Sequence, residues 1–312
     1  MKKLIVLLFI PLFSFSQINE QSKLNLENKK GKIVKFSEVE SAPFYIDWCT
    51  SNIAVDKIRE CTDSGIKLFT KQNFENIKGT WIKGQLGIIQ NPPQPLSDIS
   101  DVIPDYTLFN EVRFIRPYGG KVYKTFPVET YRGCPYKCTY CNSPFSRTFS
   151  KEHDLGNFLR RKSIPRIQEE LQIYMDLYNP TYFAFMDDSF LARPKKEIFD
   201  FCEMYEKHFK LPFWFNTRIE NCRPEYLKAL KSAGVHRMQF GMESGNEEYR
   251  KRVLQRNIPN KTYLEYFDYI NDSDIAYVLN LIIGMPGETR ELVFDTIRLA
   301  KAARGYDGLT IS

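Results

Sequence analysis

The sequence predicts an α/β protein whose main domain is a partial (β/α)6 barrel. From residue 126 onward, short apolar segments alternate regularly with segments of helical periodicity. This alternation is typical of a parallel sheet whose strands are joined by helical crossovers. Strands connected in this way curl into a barrel or part of one, with the active site where the strands end. The predicted strands are 126–131, 182–186, 213–216, 235–240, 277–283 and 309–311.

Helices are predicted in the intervals between these strands. Ser163 is a suitable N-cap for the first of them, Pro165 lies in its first turn, and apolar residues recur at helical spacing up to Pro180. Gly234 follows another, as glycine commonly does at a helix C-terminus. The other predicted helices, including the one that Gly234 ends, are 197–209, 225–233, 247–255, 261–270 and 291–303.

The composition is that of a folded chain with one large domain or slightly more. Of 312 residues, 43% are hydrophobic, which is enough for a sizeable core. The net charge of +6 comes from 44 basic and 38 acidic residues spread along the chain. Such a balance is compatible with anionic substrates. The basic and aromatic segment 145–166 is interpreted as solvated surface, so neither a nucleic-acid nor a membrane partner is predicted.

Three of the seven cysteines lie in one predicted loop after the first strand. Cys134, Cys138 and Cys141 have the spacing C-x3-C-x2-C, with no fourth cysteine nearby. Three thiolate ligands leave one iron of a 4Fe–4S cluster open to a further molecule, as a catalytic centre requires. The spacing therefore favours a catalytic iron–sulfur site over a disulfide scaffold.

Two other uses of these thiols stay open on the residues alone. Structural zinc requires a fourth ligand, which His153, Cys202 or Cys222 would have to supply from an arbitrary distance. A thioredoxin-like pair of Cys138 and Cys141 would leave Cys134 without a role.

The cysteine spacing, with Tyr140 just before the last cysteine, resembles the signature of the radical S-adenosylmethionine (radical SAM) superfamily. The resemblance implies that the three cysteines hold a 4Fe–4S cluster whose open iron binds S-adenosylmethionine (SAM). Reductive cleavage of SAM would then give a 5′-deoxyadenosyl radical that abstracts hydrogen from the substrate. It also implies an electron donor such as flavodoxin or ferredoxin. The substrate, a small molecule or something larger, is not specified.

The resemblance further implies SAM-contacting residues at the strand ends. An aspartate pair, Asp187 and Asp188, stands where the family usually has Gly-Gly-Glu for the methionine amino group. Without the resemblance, this pair would serve equally well as a turn or a helix cap, and Arg218 would serve to pair with Glu220 or Asp188. The residues implied to bind SAM are Tyr140, Asp187, Asp188, Arg218, Glu243, Ser244, Ile283 and Gly284.

Over roughly residues 37–312, the motifs together resemble radical SAM proteins that carry an N-terminal cobalamin-binding domain. Segment 17–110 is then interpreted as the C-terminal remnant of a Rossmann-like cobalamin-binding domain with a linker, and 120–312 as the radical SAM core, ending at its sixth strand. The family's cobalamin-ligating Asp-x-His-x-x-Gly is missing, because His153, His208 and His236 lie in other contexts. This argues against cobalamin binding.

The first residues conflict with an oxygen-sensitive cluster. Segment 1–16 has the order of a secretory signal peptide, with two lysines, an apolar run too short for a membrane span, and small residues. We interpret the chain as incomplete at both ends and predict a cytoplasmic catalytic unit. The rival hypotheses are an inactive truncated remnant and an exported zinc-binding or structural protein.

Overall fold

The computed structural model describes residues 77–84 and 87–312, together with three short strands, Val6–Leu7 (β1), Asn25–Glu27 (β2) and Ile33–Lys35 (β3). The chain divides into two compact units, Met1–Pro95 and Leu96–Ser312. Apart from β1, the signal-like segment 1–16 lies outside the described residues. In the part that is described, no helix is both long and apolar enough to cross a membrane.

The described part of the first unit is built from short antiparallel strands. Trp81–Gly84 (β4) pairs with Gly87–Gln90 (β5) and with β1, while β2 pairs with β3. Thr80 and Asn91 flank the β4–β5 hairpin, and the Asn91 side chain donates to the Thr80 hydroxyl at 2.9 Å. The assignment of this region to a cobalamin-binding domain remains a prediction, since most of 17–76 lies outside the described residues.

The second unit is organised around one seven-stranded sheet with the order β14-β13-β12-β11-β10-β7-β6. Neighbouring strands are parallel except at the β6–β7 edge. Six parallel strands in chain order form the predicted partial barrel, which the structure confirms. The strands are Ile115–Tyr118 (β6), Lys121–Val128 (β7), Tyr131–Arg132 (β8), Arg160–Arg161 (β9), Tyr182–Phe185 (β10), Phe213–Thr217 (β11), Val235–Glu243 (β12), Ala276–Leu281 (β13) and Gly308–Ile311 (β14).

Helices connect these strands largely where the sequence predicts them. The Ser163 hydroxyl accepts the Arg166 N–H at 3.3 Å, and Gly234 ends its helix with a φ of 97°. The predicted helix 247–255 is shorter in the structure and ends at Arg252, and Gln255 takes a φ of 50°. The helices are Ser143–Glu152 (α1), Ile164–Tyr178 (α2), Lys195–His208 (α3), Pro224–Ala233 (α4), Glu247–Arg252 (α5), Asn260–Asp272 (α6) and Arg290–Ala302 (α7).

The two faces of the sheet differ in character because side chains alternate along each strand. On the helix-covered face, Phe183, Phe185 and Phe213 are fully buried in the main core. On the inner face, Trp214 packs with Tyr182 and donates to the Tyr118 hydroxyl at 3.1 Å. The apolar face fixes the register of the strands and so places their C-terminal ends at one rim.

Candidate active site

The segment 129–142, called the cysteine loop below, begins where β7 ends. The predicted strand 126–131 stops at Val128, and the chain turns into the short β8–β9 pair, in which Tyr131 lies opposite Arg161. Gly133 has a φ of 96°, and a Cβ there would lie 2.6 Å from the Phe158 carbonyl oxygen. Only glycine fits this approach without displacing the backbone.

The three cysteines differ in exposure and are all free thiols. Cys138 is buried, Cys134 is half-buried and Cys141 is exposed. The Ser143 N–H donates to Cys141 Sγ at 3.4 Å, and Arg218 Nη1 donates to Cys138 Sγ at 3.0 Å. Partial burial raises the pKa of the Cys134 thiol, which disfavours its thiolate form.

These features suit the thiolate ligands of an iron–sulfur cluster. Such thiolates commonly receive hydrogen bonds from the protein, and two of the three sulfurs here already do. The cysteine loop can thus supply three ligands. Among the described residues, no group of three or more His, Cys, Asp or Glu side chains is placed to hold a single metal ion.

Arg218 connects the third parallel strand to the cysteine loop. Besides its bond to Cys138, its guanidinium lies 3.8 Å from the centre of the Tyr136 ring. Its Nε donates to Glu220 at 2.5 Å, the alternative pairing that the sequence left open. The side chain is only 11% exposed, so Arg218 is held close to the thiols rather than free to turn toward solvent.

The middle of the cysteine loop is hydrogen-bonded to the segment that follows α5. The Thr139 hydroxyl donates to the Val253 carbonyl at 2.7 Å, and the Thr139 N–H donates to the Leu254 carbonyl at 3.3 Å. Both acceptors follow α5, which comes after β12 in the chain. The cysteine loop therefore extends from the end of β7 to the segment that follows β12 and α5 in the chain.

The aspartate pair divides into two different environments. Asp187 is buried, and its carboxylate accepts the N–H groups of Thr130 and Tyr131. Asp188 is exposed and accepts the Gly133 N–H at 3.0 Å through one oxygen. Its other oxygen has no hydrogen-bond partner among the described residues. Only Asp188 presents a carboxylate oxygen toward the outside.

At the end of β12, a buried network joins Tyr140 to Glu243. The Tyr140 hydroxyl donates to Glu243 Oε1 at 3.1 Å, and Arg256 Nη1 donates to the Tyr140 hydroxyl at 3.1 Å. Arg256 also lies 3.6 Å from Glu243 Oε1. Burial raises the pKa of Glu243, and the charge of Arg256 opposes that rise. Glu243 has a φ of 64° at an irregularity in the β12–β13 register, which turns its side chain toward the loop.

Arg256 is a site residue that the sequence reasoning missed. It lies outside the motifs and follows α5, so nothing in the local sequence distinguishes it from Arg250 and Arg252 just before it. Its side chain is 3% exposed. A basic residue shortly after the glycine-flanked Glu243 was the only available signal.

The other predicted positions lie at neighbouring strand ends without contacting the cysteines. Ser244 is buried, and its hydroxyl has no partner in the described part of the chain. Ile283 is 40% exposed just beyond β13, and the Gly284 N–H donates to Glu288 at 2.6 Å. The structure thus brings Tyr140 to Glu243 and Arg218 to Cys138, while Ile283 and Gly284 form a separate part of the same rim.

Comparison with known proteins agrees with this geometry. The family model described as the radical SAM superfamily matches residues 128–300, more than half of the chain. An uncharacterised methyltransferase of Pyrococcus horikoshii is 27% identical over 77% of this chain and 53% of its own length. The anaerobic magnesium-protoporphyrin IX monomethyl ester cyclase of Cereibacter sphaeroides is 24% identical over 75% of this chain and 38% of its own.

A solved structure shows the same fold. It is the radical SAM methyltransferase TsrM from Kitasatospora setae with cobalamin and a 4Fe–4S cluster bound, and it matches with a TM-score of 0.57. The match has 14% identity and covers 82% of this chain and 49% of the other. The predicted membership of the radical SAM superfamily is confirmed, and the likeness to this cobalamin-bound structure shows the fold alone. This chain spans about half the length of the first relative and of this structure.

Proposed function

Because the chain belongs to the radical SAM superfamily, we propose that Cys134, Cys138 and Cys141 hold a 4Fe–4S cluster that cleaves SAM reductively. When bound, the cluster supplies one electron to SAM, which splits into methionine and a 5′-deoxyadenosyl radical that takes hydrogen from a substrate. The observation that carries the proposal is the set of three free thiols in one loop at the strand ends, two of them receiving hydrogen bonds.

For the methionine part of SAM, Asp188 is the better placed of the two aspartates. Its exposed carboxylate has one oxygen without a partner in the described residues, and its other oxygen holds Gly133, the neighbour of Cys134. A carboxylate beside the cluster-binding thiols can hold an ammonium group by a charge-assisted hydrogen bond. We assign the SAM ammonium to Asp188.

The remaining SAM contacts are proposed for the β12 and β13 ends. Glu243 and Ser244 would contact the methionine or ribose moiety, and Ile283 and Gly284 the adenine. Tyr140 and Arg256 hold the Glu243 carboxylate in one orientation through the distances given above. A fixed carboxylate costs less ordering on binding than a mobile one.

Arg218 is proposed to act on the thiolate rather than on SAM. Its Nη1 already donates to Cys138 Sγ, and its Nε is occupied by Glu220. A cationic donor stabilises the anionic sulfur and tunes the metal centre that the sulfur binds.

Methyl transfer is the reaction that we would test first. The Pyrococcus relative is named a methyltransferase, although the Cereibacter relative is named a cyclase. Cobalamin is not proposed as a ligand of this chain, since the ligating histidine motif is absent from its sequence. A flavodoxin- or ferredoxin-type donor and a cytoplasmic location complete the proposal.

Anaerobic reconstitution of the full chain with iron and sulfide tests the function. We expect about four irons per chain, a reduced-state electron paramagnetic resonance (EPR) signal, and 5′-deoxyadenosine after addition of SAM and dithionite. Cys138→Ala should abolish all three, while Cys202→Ala, a buried cysteine on α3, should retain them. A cluster without SAM cleavage would favour the inactive remnant, and zinc without iron would contradict the proposal.

A further inference from the structure

At the start of the cysteine loop, the N–H groups of Thr130 and Tyr131 donate to a side chain rather than to a neighbouring strand. β7 ends at Val128, so the next N–H groups need other acceptors. Asp187 Oδ1 accepts the Thr130 N–H at 2.6 Å and the Tyr131 N–H at 2.9 Å. One carboxylate oxygen from the end of β10 therefore replaces the strand partner at two successive residues.

The second oxygen of Asp187 is equally occupied. Asp187 Oδ2 accepts the Thr130 hydroxyl at 2.5 Å and Arg193 Nη2 at 2.7 Å. The Arg193 and Asp187 side chains are 2% and 0% exposed. A carboxylate has about four acceptor positions, and all of them are used here, so no position remains for a ligand ammonium.

Arg193 connects this arrangement to the turn before α3. Its Nε donates to the Phe190 carbonyl at 2.7 Å, and its guanidinium lies 4.4 Å from the centre of the Phe190 ring. The same Nη2 that reaches Asp187 also donates to the Thr130 hydroxyl at 2.8 Å. Thr130, Asp187 and Arg193 thus form a closed buried triad.

We propose that Asp187, with Arg193 and Thr130, is a positioning residue that fixes the backbone leading into Cys134 and makes no contact with SAM. Asp188 adds a third fixed N–H, that of Gly133. Together the pair sets the N–H directions at Thr130, Tyr131 and Gly133, the last of which adjoins the first cluster ligand. The inference rests on the proposed cluster at Cys134, Cys138 and Cys141.

The test compares Asp187→Asn with a matched control, Asp200→Asn. Asp200 lies on α3, and its side-chain partner in the described part of the chain is the exposed Lys196. Each full-length variant is reconstituted anaerobically, and iron per chain, the EPR spectrum of the reduced cluster and its change on titration with SAM are measured. Residues that orient metal ligands cost roughly 10- to 100-fold in metal affinity when changed.

We expect Asp187→Asn to lose iron at limiting iron concentration and to give an altered EPR spectrum, while the SAM concentration for half of the spectral change stays within about twofold of wild type. Asp200→Asn should match wild type throughout. Full iron with an unchanged spectrum, or a tenfold weaker SAM response, would overturn the inference. Absence of a cluster in wild type would instead refute the proposed function.

Thr130→Val decides the question if Asp187→Asn does not fold. It keeps the shape of the side chain and the backbone N–H but removes the hydroxyl that reaches Asp187. An altered cluster spectrum with an unchanged SAM response would support the positioning role, and a wild-type spectrum would overturn it.

Discussion

Replacing Gly133 by alanine should destabilise the second unit far more than the same change at Gly120. Both glycines have positive φ, 96° and 75°, but a Cβ at Gly120 meets nothing within 4 Å. A left-handed conformation costs an alanine about 1–2 kcal/mol. The change from glycine to alanine in the unfolded chain is the same at both positions, so it cancels in the comparison.

The difference between the two variants measures the collision at Gly133. A Cβ there would lie 2.6 Å from the Phe158 backbone oxygen and 3.1 Å from its ring. A backbone oxygen cannot swing aside as a side chain does, and forced shifts of this kind cost about 1–3 kcal/mol. Gly133→Ala should therefore cost about 2–5 kcal/mol in the free energy of unfolding, and Gly120→Ala about 1–2 kcal/mol.

Urea unfolding of the apo-protein, followed by circular dichroism, gives both values from the midpoint and slope. The approach of the Phe158 segment also shapes the turn before Cys134, so Gly133→Ala should bind less iron on reconstitution, whereas Gly120→Ala should not. Equal destabilisation by the two substitutions would refute the reasoning, because it would mean that the Phe158 carbonyl does not lie against Gly133.

Three further changes have defined expectations. Glu170→Gln breaks the buried ion pair between Glu170 and Lys162, whose side chains are 1% and 4% exposed, respectively. This change should lower the free energy of unfolding in urea by about 3–5 kcal/mol. The control Glu169→Gln, on the exposed side of α2, should lower it by under about 1 kcal/mol. Arg218→Met should lower the midpoint potential of the reconstituted cluster in an EPR-monitored titration, since a positive donor to Cys138 favours the reduced state; Arg223→Met should leave it unchanged. For Glu243, burial raises the pKa of the folded state above 4.5, its ordinary value in the unfolded chain. Between these two pKa values the folded state binds more protons than the unfolded state, so the free energy of unfolding falls as pH rises through that range. Glu243→Gln should flatten that part of the pH profile relative to wild type, and identical profiles would contradict the assignment.

The parallel strands were predictable because a strand covered on both faces is nearly continuous in apolar residues. The apolar runs around Phe183 and Phe215 indicate their strands in this way. The edge strand β6 was missed because Ile115 is 43% exposed and the other residues of the strand are Arg116, Pro117 and Tyr118. Helix α1 was missed for a related reason, since its buried residues are Ser143 and Ser150 and it has no buried apolar face.

The site was predictable as far as local spacing reaches. The cysteine spacing is a local pattern, and the carboxyl ends of parallel strands meet at one rim, so the two predictions converge. Which of two adjacent aspartates turns inward depends on Arg193 and on the N–H groups of residues more than fifty positions earlier. Arg256 likewise acquires its role through Tyr140, 116 positions away. Sequence periodicity carries no information on such distant partners.

The attachment of Thr139 behind β12 gives the cysteine loop a mechanical function. Its first residues are held by the end of β10, and its middle is held by the segment after α5. The loop therefore connects the C-terminal ends of β10 and β12, two strands that are separated in the sheet by β11. Assembly of a cluster on its cysteines would make the loop more rigid and so restrict the relative motion of β10 and β12. Binding of the cluster and stiffening of the half-barrel would then be one event.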